Sequence, residues 1–382
     1  METIVEISGL GKSFPQKQGQ PVTILRDVNL TIGAGQTLCV MGESGCGKTT
    51  LGKIIAGLSD YTTGSYRFCG KEVSQLKGKE WDAFRESVQL IHQNPYESLN
   101  PASMVFDIIA NPIRRHRKIT KIPELYEEVT RLLKLVGLTP VEDFVDKYPA
   151  HLSGGQRQRV SIARILAMNP KLIVVDEATS MIDTSLRISL LSTMKQIQQE
   201  LGVAYFFITH DLALGKYFAK GQAAMVMYLG RIVEAAGMDQ LVANPCHPYS
   251  RAIISAAVGD TGILEDAQFR KYSLKDADIA SFGNMPSGCP LHPRCPECMD
   301  GVCQKTNPPS FAVEAGHQVC CFHYQAEKRV SSHEKFCKNS DCCGHCHRRF
   351  VGDAAGVQHP RKRIVSDVHY RCDYRVDYAC FR

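Results

Sequence analysis

The 382-residue chain, 44% hydrophobic, is long enough to bury the core of one large α/β domain with appendages, which argues against disorder throughout. Its net charge of +6 is mild and concentrated in the tail, where residues 326–382 hold 12 Lys and Arg against 7 Asp and Glu. No run approaches the ~18 apolar residues of a membrane span. The start, Met-Glu-Thr-Ile-Val-Glu, lacks a basic region followed by an apolar stretch, so a cytosolic chain that forms no pore by itself is expected.

Residues 3 to 40 alternate β-prone stretches with turns: Ile4 to Ile7, Val22 to Leu25 and Thr37 to Met41. The last of these leads into Gly42-Glu43-Ser44-Gly45-Cys46-Gly47-Lys48-Thr49, which fits the eight-position P-loop pattern between a strand and a helix, here Thr49 to Leu58. Three glycines let the backbone wrap a phosphate with its N–H groups inward, and the helix beginning at Lys48 adds its positive dipole end. Lys48 is expected on the β and γ phosphates of ATP and Thr49 on Mg²⁺, with Thr50 beside them in the nucleotide site. β character returns over Tyr61 to Phe68 around Thr63-Gly64.

From about residue 100 to 150 the pattern turns helical, with Leu125, Val129, Leu132, Leu133 and Val136 at helical spacing. Leu172 to Val175 and Ala204 to Ile208 are continuous apolar runs, as expected of parallel strands covered on both faces. The first of them ends in Asp176-Glu177, two carboxylates at the sheet edge where ligands collect. Two acids ending a strand often cap a helix. Downstream of a P-loop, Asp176 suits Mg²⁺ through water and Glu177 suits polarising an attacking water. A hairpin, Ala223 to Met227 and Arg231 to Glu234, is expected to turn near Gly230, and after about residue 236 the composition shifts toward Pro, Cys and His.

Just upstream of these strands, Leu152-Ser153-Gly154-Gly155-Gln156 precedes a helix whose Val160, Ala163 and Ala167 share one face and which ends before Asn169-Pro170. Ser153, Gly154, Gly155 and Gln156 place N–H groups at a helix start, a second anion site far in sequence from the first. Taken together and in this order, residues 1 to 235 resemble the ATPases of ABC transporters. The resemblance implies a P-loop NTPase of the ABC type: a mainly parallel α/β core, an antiparallel β subdomain and a helical subdomain at about 94–165. It implies roles residue by residue. Gln93 matches the glutamine loop that senses Mg²⁺ and the transmembrane subunits, Asp183 the dimer-contact loop, and His210 the switch histidine at the γ-phosphate. Phe14 matches the aromatic that stacks on adenine. Catalysis would then rest on Glu177, His210, Gln93 and Lys48. ATP would be held head to tail between the P-loop of one subunit and Ser153 to Gln156 of another, identical or closely related.

The stretch His92-Gln93-Asn94-Pro95-Tyr96-Glu97-Ser98-Leu99-Asn100-Pro101 is similar to that loop in importers of oligopeptides, dipeptides, nickel and related solutes, as is Asn244-Pro245-Cys246-His247-Pro248-Tyr249-Ser250. Partners implied are two permease subunits and, through them, an external solute-binding protein. The implied station is the cytoplasmic face of the membrane, with no nucleic acid involved. Sixteen cysteines in a chain expected in a reducing compartment point to metal rather than disulfides. Cys289, Cys295, Cys303 and Cys321 match a segment that in some relatives binds a four-iron four-sulfur cluster, and four thiolates could equally hold zinc, with Cys298 and Cys320 as substitutes. Here one more residue than the pattern expects separates the second and third cysteines. Residues 236–325 form this C-terminal, Cys-rich region. The tail 326–382, with Cys337, Cys342, Cys343, Cys346, His345, His347 and the basic Arg361-Lys362-Arg363, lies beyond the resemblance. The rival readings are an ABC ATPase acting on nucleic acid or ribosomes and an ATP-gated metal or redox sensor.

Overall fold

The computed structural model of the chain describes residues 2–16, 20–91, 99–178, 184–261, 272–275 and 281–325. Gln93, Asp183 and the tail cysteines lie outside them. The first strand, β1 (Thr3–Phe14), pairs antiparallel with β2 (Val22–Gly33). Both run well past the stretches that alternation marks, because register shifts between Ile7 and Leu10 and again up to Ser13 break the period of two along β1. After β3 (Thr37–Met41) and the P-loop comes α1 (Lys48–Ile55). This helix stops short of Leu58 because Gly57 adopts a positive φ of 66°, and the N–H of Leu58 then reaches back to the carbonyl of Lys53 at 2.8 Å, a Schellman stop.

Two short strands, β4 (Thr63–Phe68) and β5 (Lys71–Glu72), complete a four-stranded antiparallel sheet in the order β2-β1-β4-β5. Helix α2 (Lys79–Ser87) and β6 (Val88–Ile91) lead to the expected helical insert: α3 (Val105–Pro112), α4 (Ile122–Leu135), α5 (Glu142–Val145) and α6 (Gly154–Leu166). Leu125, Val129, Leu132 and Leu133, predicted to share a face of α4, are all fully buried, and so are Val160, Ala163 and Ala167. The rest alternates strand and helix: β7 (Leu172–Asp176), α7 (Thr184–Leu201), β8 (Ala204–Thr209), α8 (Leu212–Phe218), β9 (Ala223–Tyr228), β10 (Arg231–Gly237), α9 (Met238–Ala243) and α10 (Pro248–Thr261). A last hairpin is made by β11 (Phe311–Glu314) and β12 (His317–Val319).

The large sheet runs β11-β12-β10-β9-β3-β8-β7-β6, with β6, β7, β8, β3 and β9 mutually parallel. Its central strands are buried almost throughout because each face has its own core. Leu38, Val40, Leu172, Val174, Phe206 and Ile208 join Leu51, Ile54 and Ile55 of α1 and the antiparallel sheet on one side. Cys39, Met41, Ile173, Val175, Tyr205 and Phe207 join α6 and the helical insert on the other. This double covering is what fixes the sheet's carboxyl edge, where β3 and β7 deliver the P-loop and the acidic pair.

The region after residue 236 is built onto this same sheet. In β10, Glu234 is 1% exposed, pairs in register with Val319, and its carboxylate accepts the N–H groups of Cys246 at 2.7 Å and His247 at 2.8 Å and bonds His317 Nε2 at 2.7 Å. One buried acid thus ties three segments together. His247, fully buried, accepts the Tyr249 N–H on Nδ1 at 3.1 Å, and desolvation, with Arg251 nearby, pulls its pKa down to about 3. Since the unfolded chain binds this proton near pH 6.5 and the folded chain does not, stability present above pH 6.5 should be lost as pH falls toward 3. The expected loss is about 2 kcal/mol between pH 6.5 and 5. Urea titrations at both pH values should show a smaller difference in His247→Asn than in the wild type; an unchanged difference would assign the acid sensitivity to other groups.

Candidate functional site

The loop after β3 is held by close backbone packing. A side chain at Gly42 would put its Cβ 2.3 Å from the carbonyl oxygen of Met227 and 2.9 Å from Cys46 Sγ, so only glycine fits. Gly47, at φ 110°, lets the chain enter α1 directly. Lys48 is 4% exposed, and its ammonium donates to the carbonyls of Gly42 at 2.8 Å and Glu43 at 2.9 Å, so the loop itself satisfies the buried cation. Burial raises the Cys46 thiol above its ordinary pKa, partly offset by Lys48 beside it.

A cavity of about 520 Å³ opens over this loop, within the ~300–1,000 Å³ of small-molecule sites. It is lined by Phe14, Ser44, Gly45, Gly47, Lys48, Thr49, Thr50 and Glu177, all expected in a nucleotide site, together with Ile24 and Phe282, which sequence reasoning left without a role. Phe14 is 41% exposed with the Lys12 ammonium 4.8 Å from its ring centre.

Beside the cavity, Thr49 Oγ1 donates to Asp176 Oδ1 at 3.0 Å. A hydroxyl and a carboxylate converging there are the hard oxygen donors that Mg²⁺ takes. Desolvation holds Asp176 above the usual carboxylate range, opposed by the Thr49 hydroxyl. The next residue, Glu177, takes a positive φ of 48° with its N–H on the Ile208 carbonyl at 3.2 Å. This bend sets Glu177 Oε1 3.1 Å from His210 Nδ1, so the proposed base and the proposed switch touch. Ser153 and Gln156 form a reciprocal capping box at the start of α6, the Ser153 N–H on Gln156 Oε1 at 2.9 Å and the Gln156 N–H on Ser153 Oγ at 3.3 Å. Ser153 is exposed, and none of Ser153 to Gln156 lines the cavity.

Two further residues bear on the loop from the C-terminal region. Arg294 grips both carboxylate oxygens of Glu43, at 3.1 and 3.2 Å, and Tyr249 accepts the Glu43 N–H at 2.8 Å. Tyr249 stands in the His247-Pro248-Tyr249-Ser250 stretch quoted above and Arg294 directly precedes Cys295, yet nothing local in either stretch points to a residue more than two hundred positions away. Among the cysteines, Cys295 and Cys303 are buried and Cys289 and Cys321 half-buried. Burial pushes Cys289 and Cys295 up to about 11 and Cys321 up to about 12, with the neighbouring thiols adding to the effect.

Comparison with known proteins gives two family matches: "ABC transporter" over residues 25–180 and "Oligopeptide/dipeptide transporter, C-terminal region" over residues 233–303. An oligopeptide transport ATP-binding protein of Escherichia coli is 38% identical over 330 residues, spanning 84% of this chain and 96% of that protein. A probable peptide ABC transporter ATP-binding protein of Sinorhizobium fredii is 39% identical, spanning 84% of this chain and 90% of its own. Among solved structures, a dimeric ATP-binding cassette in a post-hydrolysis state with ADP and Pi aligns at a TM-score of 0.55 and 26% identity, covering 62% of this chain and 99% of that one.

Proposed function

The chain belongs to the ATP-binding subunits of the oligopeptide and dipeptide ABC transporters, and from that membership we propose that it drives peptide uptake by closing and opening on ATP at the site of Lys48 and Glu177. It is an ATPase. The C-terminal match at residues 233–303 sides with transport against action on nucleic acid or ribosomes. The observation that carries the mechanistic reading is the convergence of Lys48, Thr49, Asp176 and Glu177 at one sheet edge, with His210 against Glu177.

In this reading Lys48 leaves the carbonyls of Gly42 and Glu43 for the β and γ phosphates, and the loop's N–H groups surround the same anion. Thr49 and Asp176 would hold Mg²⁺, which would supply positive charge beside the phosphates. Glu177 accepts a proton from the attacking water, and His210 steadies Glu177 and meets the γ-phosphate. Gln93 and Asp183 act at the Mg²⁺ and at the dimer contact. Phe14 carries the adenine. The exposed Ser153 and the N–H groups of Gly154 and Gly155 seal the γ-phosphate of a second subunit, so hydrolysis removes the bridge between the two. That dimer works against two permease subunits at the cytoplasmic face of the membrane, fed by an external binding protein. Among the described residues, no helix is long and apolar enough to cross a membrane.

For the cysteine region we propose a metal centre, an iron–sulfur cluster or zinc, on Cys289, Cys295, Cys303 and Cys321. What supports it is the crowding of Cys289, Cys295 and Cys303 around Cys321 in a proline-rich loop, near enough to raise the Cys321 thiol, although among the described residues the four sulfurs do not close to ligand spacing. Metal would relieve that crowding by taking up thiolates in place of protons.

Uptake decides the functional reading. Right-side-out membrane vesicles carrying the two permease subunits, this chain and any partner ATPase subunit, with the solute-binding protein outside, should accumulate a labelled oligopeptide only with ATP inside, and lose that uptake when the chain is left out. Accumulation of nickel with no peptide uptake would move the protein to the other branch of its family.

A further inference from the structure

Glu43 occupies the second position of the P-loop, but it is absent from the lining of the nucleotide cavity; its carboxylate meets the C-terminal region instead. Arg294 Nη1 donates to Glu43 Oε2 at 3.1 Å and Nη2 to Oε1 at 3.2 Å, a two-pronged grip. The guanidinium is nearly enclosed, with its side chain 7% exposed, and Nη1 also reaches the Tyr228 hydroxyl at 3.3 Å. On the backbone side, the Glu43 N–H donates to the hydroxyl of fully buried Tyr249, whose ring packs 4.6 Å from that of Tyr228. The carbonyl of Glu43 is in turn one of the two that receive the Lys48 ammonium. An unbroken chain of contacts therefore runs from Arg294 through Glu43 to Lys48.

What places Arg294 is the cysteine loop. It sits between Cys289 and Cys295, its N–H on the Leu291 carbonyl at 2.9 Å and its own carbonyl accepting the Lys275 N–H at 2.9 Å. Cys289 is in turn anchored by its N–H on the Cys303 carbonyl at 2.8 Å. Phe282, shortly before this loop, lines the nucleotide cavity as well, so the segment reaches the site at two points.

We propose that Arg294 is a positioning residue for nucleotide binding: the cysteine loop holds the P-loop in its phosphate-receiving shape through the Arg294–Glu43 contact, so that order in the cysteine region is read out as affinity for nucleoside triphosphate. This rests on the P-loop being the nucleotide site, and goes beyond it by giving the C-terminal region a part in that site. Without Arg294, the Glu43 carboxylate is left in a half-buried pocket with no cation, and the loop moves to bring it to water. Lysine supplies a point charge but not the fork, and restores only part of the hold.

The test is titration of the full-length chain with a fluorescent N-methylanthraniloyl ATP, at a temperature where circular dichroism shows each variant folded. Arg294→Ala should weaken binding at least tenfold, Arg294→Lys should fall between it and the wild type, and Glu43→Ala with Arg294→Ala should be no weaker than the worse single variant. Equal affinity of Arg294→Ala and the wild type, or single effects that simply multiply in the double variant, would overturn the proposal; a lowered melting temperature with unchanged affinity would do the same, marking the contact as merely structural. Should Arg294→Ala fail to fold, Arg294→Lys against Glu43→Ala decides by the same criteria. Failure of the wild type itself to bind the probe would tell instead against the nucleotide site.

Discussion

Glu177→Gln should lower ATP turnover by about 10²–10⁴, the range a positioned general base supplies, while leaving nucleotide affinity close to that of the wild type. The two effects separate because the residues expected on the phosphates and Mg²⁺, Lys48, Thr49 and Asp176, are untouched, and Thr49 and Asp176 keep their 3.0 Å contact. Glutamine is close in shape to glutamate, so the bend at φ 48° and the bond of its N–H to Ile208 are retained. What is lost is the capacity to take a proton. With hydrolysis stalled, the chain should elute as an ATP-held dimer, alone or with its partner subunit, on size exclusion with Mg-ATP. A variant that turns over ATP at the wild-type rate would remove Glu177 from the chemistry.

A larger thermodynamic effect is expected at a residue that touches no nucleotide. Glu234→Ala would strand two buried backbone N–H groups, of Cys246 and His247, and the Nε2 of a His317 that is fully buried. Leaving a buried donor without an acceptor costs about 1–3 kcal/mol, and three are left here, so a total of at least about 3 kcal/mol is expected. Equilibrium urea unfolding should show a loss of that size, and Glu234→Gln should lose less, since its amide can still accept one of these bonds. A loss below about 1 kcal/mol would mean that the three segments are held by something else. The Glu234, Cys246 and His317 ligand atoms lie within 4.8 Å of one another, close enough to suggest a metal. The carboxylate's oxygens are already engaged by those donors, which makes the cluster a hydrogen-bonded tie.

The candidate site was legible in the sequence because its chemistry is local. A phosphate cradle needs closely spaced glycines before a helix, and a metal-holding acid needs the end of a buried strand, so Gly42 to Thr49 and Asp176-Glu177 each announce themselves within eight residues. The central strands were equally plain, since burial on both faces leaves no polar position in β7 up to Asp176. Strand β1 was read at a third of its length because its irregular register hides the alternation. Arg294 and Tyr249 were invisible for another reason: what they do depends on a fold that carries residue 294 back to residue 43. The contacts of Gln93 and Asp183 fall outside the described residues.

The terminal hairpin has a consequence for anyone shortening this protein. Strand β12 hydrogen-bonds along β10 at Glu234 and Ala235, so the outermost strand on this side of the great sheet is the brief β11. Ending the chain at the apparent domain boundary near residue 236 would bare the main-chain amides of β10, a ready template for strands of neighbouring molecules. The cysteine-bearing appendage is therefore also a guard against self-association, and a cassette trimmed to its ATPase motifs should be the form that precipitates.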